Sequence, residues 1–295
     1  MMVSVNGVLI GEDQAVVSVF DHGFMYGMCL FETFRTYEGI PFLLEEHLNR
    51  LSLSCAELGI QYTPQPQEIQ YTIKQLLSAN QLSDGYIRLS VSAGSQPLGF
   101  PAGDYEQPNE IIYAKSLPGR DLQVVHEGKP LQLLKLHRNS PEGAVRMKSS
   151  HYMNNILGKR ELQQYPWAVD AEGLFLNEAG HVAEGLVSNL FFVKRGMLCT
   201  PAVDTGILPG ITRAFILDLA DELDIVYEEG FYSVEWLCHA EDIFMTNSIQ
   251  EIVPVRCIYD SNGAVIWTRG TMEMDPIILR LMEHYQWVIQ GGSRL

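Results

Sequence analysis

Lys148 is the residue of this chain best set to act as a nucleophile. It lies in Arg146-Met-Lys-Ser-Ser-His-Tyr-Met-Asn-Asn-Ile-Leu-Gly-Lys159, where the alternation of Ala144, Arg146 and Lys148 gives way to a helical pattern. In that pattern Tyr152 and Ile156, then Met153 and Leu157, fall one turn apart. The spacing predicts a strand-to-helix junction at the lysine, with Ser149 and Ser150 as N-caps. The ammonium would face the partial positive charge of a helix start, which lowers its pKa and makes it a better nucleophile. Tyr152 would stand one turn along on the same side, with a phenol to hydrogen-bond an oxygen of whatever the lysine attacks. The plain alternative is a surface lysine before an ordinary amphipathic helix.

Two further groups complement a lysine nucleophile. Glu184, in Val182-Ala-Glu-Gly-Leu-Val-Ser-Asn189, is flanked by small and apolar residues ahead of a strand, so its carboxylate needs a cationic partner. Gly210-Ile-Thr212 follows Pro209 and opens a helix, so the N–H groups of Ile211 and Thr212 make an anion site, with the threonine hydroxyl as an extra donor. Ser248, at a strand end, adds another hydroxyl. Each has an ordinary structural reading: an ion pair, a helix cap, a turn serine. Together they meet the needs of pyridoxal 5'-phosphate, which takes a lysine for its Schiff base, a carboxylate for its ring nitrogen and an anion site for its phosphate. Other chemistries lack their minimum parts. Gly143-Ala-Val-Arg-Met-Lys-Ser149 has Met147 where a P-loop needs glycine, and no G-x-G-x-x-G, G-x-S-x-G or H-E-x-x-H is present.

Positioning these residues takes an α+β fold of two units. The 295 residues, 46% hydrophobic, suit two domains, and a formal net charge of -16 argues against nucleic acid or an anionic membrane as partner. The five cysteines are scattered without a C-x-x-C pair, which points to a reducing cytoplasm and to no metal site, and no run reads as a signal peptide or a bilayer span. Asn6-Gly7 and Glu38-Gly39 mark hairpins within residues 2–20 and around Phe31–Arg35 and Ile40–Leu44. Leu44 to Leu58 reads as an amphipathic helix carrying Arg50 off its leucine stripe, followed by a helix over Gln67–Asn80 and strands over Tyr86–Ser92 and Glu110–Lys115. Residues 119–130 are turn-rich and read as the linker between a domain of 1–118 and a larger one of 131–295. In the second half, strands are expected at Leu131–Leu136, Ala168–Leu176, Leu190–Val193 and Asp242–Thr246. The residues from Asn177 to Asn189 read as a connection, a helix starts at Leu208–Arg213, and the last helix spans about Met272–Tyr285.

The chain also resembles a known family. Arg50 in Glu46-His-Leu-Asn-Arg-Leu51, the Lys148 stretch, Glu184-Gly185 with Ser188-Asn-Leu-Phe191, Leu208-Pro-Gly-Ile-Thr-Arg213 and Phe244-Met-Thr-Asn-Ser-Ile-Gln-Glu-Ile-Val-Pro-Val255 match the fold-type IV pyridoxal-phosphate enzymes in order and spacing. That family contains branched-chain aminotransferases, D-amino-acid transaminases and 4-amino-4-deoxychorismate lyases. The resemblance implies a small N-terminal and a larger C-terminal domain with the cofactor between them, in a homodimer. It implies that Lys148 forms the Schiff base and moves protons, that Glu184 keeps the ring nitrogen protonated, and that Arg50, Ile211, Thr212 and Ser248 hold the phosphate. Tyr152 is similar to a branched-chain-enzyme tyrosine near the ring oxygen, whose motif has one more residue after the lysine. The Arg and His that trap the substrate carboxylate in D-amino-acid transaminases correspond to Leu98 and Phe100, and their tyrosine to Phe31. The wording Asp21-His-Gly-Phe-Met-Tyr-Gly27, Arg138-Asn-Ser-Pro-Glu-Gly143 and Thr246-Asn-Ser248 is most similar to bacterial 4-amino-4-deoxychorismate lyases. That similarity implies release of 4-aminobenzoate and pyruvate, with Arg88 as a partner for a substrate carboxylate. An aminotransferase for D- or branched-chain amino acids is the alternative. Arg138, Arg146 and Arg256 stay unranked.

Overall fold

The computed structural model describes residues 1–119, 127–270 and 273–292. They form two compact units, one of Met1–Gly119 with Met147–His151, the other of Arg120–Arg146 with Tyr152–Leu295.

In the first unit β1 (Met2–Val5) and β2 (Val8–Gly11) are joined by Asn6 and Gly7 at φ 51° and 78°, the paired left-handed residues of a tight hairpin turn. A short helix, α1 (His22–Tyr26), leads to β3 (Cys29–Tyr37), which reverses through Glu38 and Gly39 into β4 (Ile40–Pro41). Then come α2 (Leu44–Glu57), α3 (Pro66–Ala79), β5 (Tyr86–Ser92) and β6 (Asn109–Lys115). The sheet order is β2-β1-β6-β5-β3-β4, with every pair antiparallel. Leu48, Leu51, Ile73 and Leu76 of the helices share one core with Leu30, Phe34, Ile87 and Leu89 of the sheet. Strand alternation therefore puts Leu30, Glu32 and Phe34 on the helix-covered face and Phe31 on the other.

The second unit runs β7 (Lys129–Leu133), α4 (Met153–Leu162), β8 (Glu172–Leu176), β9 (Val182–Gly185), β10 (Asn189–Lys194) and β11 (Met197–Pro201). It continues with α5 (Ile211–Glu222), β12 (Tyr227–Gly230), α6 (Val234–Cys238), β13 (Asp242–Asn247), β14 (Glu251–Tyr259), β15 (Val265–Thr268) and α7 (Pro276–Ile289). Its sheet has the order β12-β11-β10-β13-β14-β7-β8-β9, with β15 on β14. The pairs β11–β12, β14–β7 and β7–β8 are parallel and the others antiparallel, so the sheet is mixed.

Several expectations need correction. Lys148 does not stand at a helix start. The helix begins at Met153 with Tyr152 as its N-cap, and Ser149 and Ser150 cap nothing because their backbone pairs with β3. The one-turn relation between Lys148 and Tyr152 falls with it. The apolar pattern of that helix is also inverted, since Met153, Ile156 and Leu157 are exposed while Asn155, Gly158 and Leu162 are buried. A Cβ on Gly158 would lie 2.7 Å from Phe175 and 2.8 Å from Leu186, which explains why the inward face takes a glycine. The segment holding Glu184 is the strand β9, not a connection. The strand expected from Ala168 starts at Glu172, and the last helix is Pro276–Ile289, Met272 lying outside the described residues. Most of the 119–130 linker, residues 120–126, also lies outside them, while Lys129 and Pro130 already belong to β7.

Candidate active site

Lys148 is delivered by the edge of β3. The short β4 pairs only with Thr36 and Tyr37, so Cys29–Phe31 present an open edge to the lysine segment. Phe31 N–H donates to the Lys148 carbonyl at 2.9 Å, Ser150 N–H donates to Cys29 at 2.8 Å, and Ser149 bridges Leu30. Two backbone hydrogen bonds thus fix the peptide groups on either side of Ser149, directly after the lysine. Its Nζ stands 5.0 Å from the centroid of the Phe31 ring, and the Arg88 guanidinium stacks on the same ring at 3.7 Å. Arg88 reaches this place because β5 pairs antiparallel with β3, Arg88 opposite Thr33 and Ser90 opposite Phe31. Its Nε donates to Ser90 Oγ at 3.2 Å. The first unit therefore brings a lysine, an aromatic ring and a guanidinium together.

Arg50 has partners that sequence reasoning missed. Its Nε and Nη2 donate to the two oxygens of Glu32 at 2.8 and 2.5 Å, and His47 Nδ1 meets Glu32 Oε2 at 2.7 Å. Burial alone would raise the Glu32 carboxyl, but Arg50 and the His47 hydrogen bond outweigh it and hold the group at about 2. Burial pushes His47 down, so it serves as a neutral N–H donor rather than as a charged partner. The missed signal was Glu32 itself, a carboxylate between Leu30 and Phe34 on the apolar face of a strand.

In the second unit Glu184 is 5% exposed and held from three sides. Arg138 Nε donates to Oε1 at 2.7 Å, Arg146 Nε lies 3.8 Å from the same oxygen, and the Leu208 N–H donates to Oε2 at 3.0 Å. Arg138 is oriented by Asn154 Oδ1 at 2.8 Å and Asn155 Oδ1 at 3.2 Å. Arg146 is fixed by the Gly206 carbonyl at 2.6 Å and by the Asn139 carbonyl. Burial and the neighbouring Arg138 lower the Arg146 guanidinium, while Glu184 opposes them. Behind the following turn, Glu172 Oε1 accepts from Ser188 Oγ at 2.5 Å and Val187 N–H at 3.1 Å, and burial raises its carboxyl.

The helix start expected at Gly210 is present. Gly210 is the N-cap of α5, with no side-chain cap, so the first-turn amides of Ile211 and Thr212 face outward from the helix start. A Cβ on Gly210 would lie 2.0 Å from Asn189 Oδ1, so the position admits glycine. Thr212 Oγ1 and Ser248 Oγ share a hydrogen bond of 3.1 Å, bringing two hydroxyls to this terminus. The residues present fit pyridoxal phosphate: a carboxylate backed by two guanidiniums suits a protonated ring nitrogen, and an uncapped helix start with two hydroxyls suits a phosphate.

The chain is similar to known proteins over most of its length. The family model for amino-transferase class IV matches residues 29–258. An aminodeoxychorismate lyase of Bacillus subtilis (strain 168) is 43% identical over 263 residues, 88% of this chain and 88% of its own length. The crystal structure of an Escherichia coli branched-chain amino acid aminotransferase superposes with a TM-score of 0.85 at 27% identity, covering 99% of this chain and 95% of that one. The crystal structure of a T.th. branched-chain amino acid aminotransferase complexed with N-(5'-phosphopyridoxyl)-L-glutamate does so with a TM-score of 0.82 at 28% identity, over 99% and 95% of the two chains.

Proposed function

This chain belongs to the amino-transferase class IV family, and from that premise we propose that it is a 4-amino-4-deoxychorismate lyase using pyridoxal 5'-phosphate. The reading is carried by its 43% identity to an aminodeoxychorismate lyase over 88% of both chains. Arg88 beside Phe31 and Lys148 adds a local cation for an anionic substrate on a chain of net charge -16. Leu98 and Phe100, where transaminases for D-amino acids carry an arginine and a histidine, argue for a different substrate.

Bound pyridoxal phosphate supplies an electron sink for the carbon that bears the substrate amine. Lys148 would hold the cofactor, and its Nζ would act as the base that removes the proton from that carbon. The ring's C–O bond then breaks, the enolpyruvyl group leaves and takes up a proton to become pyruvate, and the ring becomes aromatic as 4-aminobenzoate. Glu184, paired with Arg138 and Arg146, would hold the proton of the ring nitrogen. Arg50, the amides of Ile211 and Thr212, and Ser248 would hold the phosphate, and Tyr152 would serve the ring oxygen. Arg88 pairs with a substrate carboxylate and Phe31 walls the substrate side.

The same reading makes the protein a cytoplasmic homodimer supplying a folate precursor. Its free cysteines fit a reducing compartment. Val16, Val19, Phe20, Phe24, Leu98 and Phe100 of the first unit are all exposed, an apolar surface suited to a second copy. The alternative, an aminotransferase for D- or branched-chain amino acids, is favoured by the structural neighbours and differs in requiring a 2-oxo acid. The test is to give the cofactor-loaded protein 4-amino-4-deoxychorismate and follow 4-aminobenzoate and pyruvate together, beside Lys148→Ala. Equal formation of both without a 2-oxo acid, lost in the variant, is expected. No product from this substrate, with D-alanine or leucine consumed alongside 2-oxoglutarate, would replace the lyase by the transaminase.

A further inference from the structure

We propose that Glu32 and His47 are positioning residues that orient Arg50 for the cofactor's phosphate, an inference resting on the phosphate role given to Arg50 above. The observation behind it is a polar trio in an apolar place. Glu32 and His47 are each 1% exposed, on the face of β3 and the flank of α2 where Leu30, Phe34, Leu48 and Leu51 form the core. Burying an ion pair with a third polar group in such a layer gives less stability than well-packed apolar residues of similar volume. Stability alone does not account for these residue types.

Geometry does. Glu32 takes Arg50 side-on, through Nε at 2.8 Å and Nη2 at 2.5 Å, a two-point fork that fixes the guanidinium plane. Fixing that plane also fixes the direction of the Nη1–Nη2 edge, whose spacing matches two oxygens of a phosphate. His47 holds the carboxylate in turn, its Nδ1 2.7 Å from Glu32 Oε2 and its ring 5.0 Å from that of Phe34. His47 and Arg50 lie three residues apart on α2, so both approach Glu32 from one helix face. Arg50 keeps 14% side-chain exposure while Glu32 keeps 1%, so the trio runs from the core outward to its cation. A lone arginine on a helix would lose rotamer freedom on gripping a phosphate, and this trio removes that freedom beforehand.

The test separates phosphate recognition from folding. Full-length protein stripped of cofactor is titrated with pyridoxal 5'-phosphate and with pyridoxal, and the dissociation constant for pyridoxal divided by that for pyridoxal 5'-phosphate measures the phosphate's share. Arg50→Gln is expected to lower that ratio. Glu32→Gln, which puts an amide donor among the donors of Arg50 and His47, is expected to lower it on the order of tenfold, the equivalent of one charge-assisted hydrogen bond. His47→Leu should lower it less, and His47→Gln, which restores an N–H donor, should recover part of the loss. Pyridoxal affinity and the circular dichroism spectrum serve as controls for folding. If Arg50→Gln lowers the ratio while Glu32→Gln and His47→Leu leave it unchanged, the positioning inference is overturned and the phosphate role of Arg50 stands. If these variants weaken both ligands equally, the trio is structural only. An unchanged ratio in Arg50→Gln removes the phosphate role and this inference with it.

Discussion

Arg138→Met is the perturbation that most directly tests how the buried Glu184 is held. Arg138 is 7% exposed, and its removal takes away the 2.7 Å bond to Glu184 together with the bonds to Asn154 and Asn155. The carboxylate, itself 5% exposed, is left with the Leu208 N–H at 3.0 Å and Arg146 at 3.8 Å. Breaking a buried pair by deleting one partner costs about 3–5 kcal/mol, and the remaining arginine puts the expectation at the lower end, about 3 kcal/mol. Arg138→Met with Glu184→Gln removes both charges, so its cost should fall short of the sum of the single changes by about 1–3 kcal/mol. Urea titration of the cofactor-free protein, followed by tryptophan fluorescence, reads these values at constant m. A cost below about 1 kcal/mol for Arg138→Met, or strict additivity in the double variant, would refute the idea that Arg138 compensates a buried charge.

Other expectations follow from the same geometry. Thr212→Ala and Ser248→Ala should each weaken pyridoxal-phosphate binding roughly fivefold to tenfold, as one hydroxyl contact is worth, and fluorescence titration reads the change. Gly158→Val should cost about 1–3 kcal/mol through overpacking, because its Cβ would fall 2.7 Å from Phe175, and thermal denaturation would show no loss if the helix can shift. On acidification, His47, lowered by burial, destabilises the fold once pH drops below its ordinary 6.5, since the unfolded chain then binds the extra proton. Glu32, at about 2 against an ordinary 4.5, adds stability that is whole above pH 4.5 and drains away as pH falls toward 2. That contribution is about 3 kcal/mol, and an acid limb as steep in Glu32→Gln as in the parent would exclude it.

Turn chemistry and helix periodicity were the legible parts of the sequence. Asn6-Gly7 and Glu38-Gly39 sit in left-handed turns, Tyr86–Ser92 is a strand with the bounds its alternation suggests, and Gly210 opens α5 where the Pro-Gly signal placed it. The lysine's setting was misread because Ser149 and Ser150 look like caps, whereas their backbone is taken by a strand far earlier in the chain, which local spacing does not reveal. Arg138 and Arg146 were visible only as unranked cations. Their convergence on Glu184 depends on the Asn154–Asn155 helix start and on the Gly206 carbonyl, both set by tertiary packing.

The order in which the chain is made gives the lysine segment another meaning. Met147–His151 completes the first unit, yet it is separated from Gly119 by a stretch that belongs to the second. During synthesis the β3 edge at Cys29–Phe31 therefore waits uncovered until the ribosome has released residues well past the first unit's own helices. A gene cut after Gly119 would encode neither the covering segment nor Lys148, leaving an open strand edge ready to pair with another chain. Splitting the protein into independently made halves is thus expected to produce an N-terminal piece that aggregates, and the two units share one folding history because one of them holds a piece of the other's stretch of sequence.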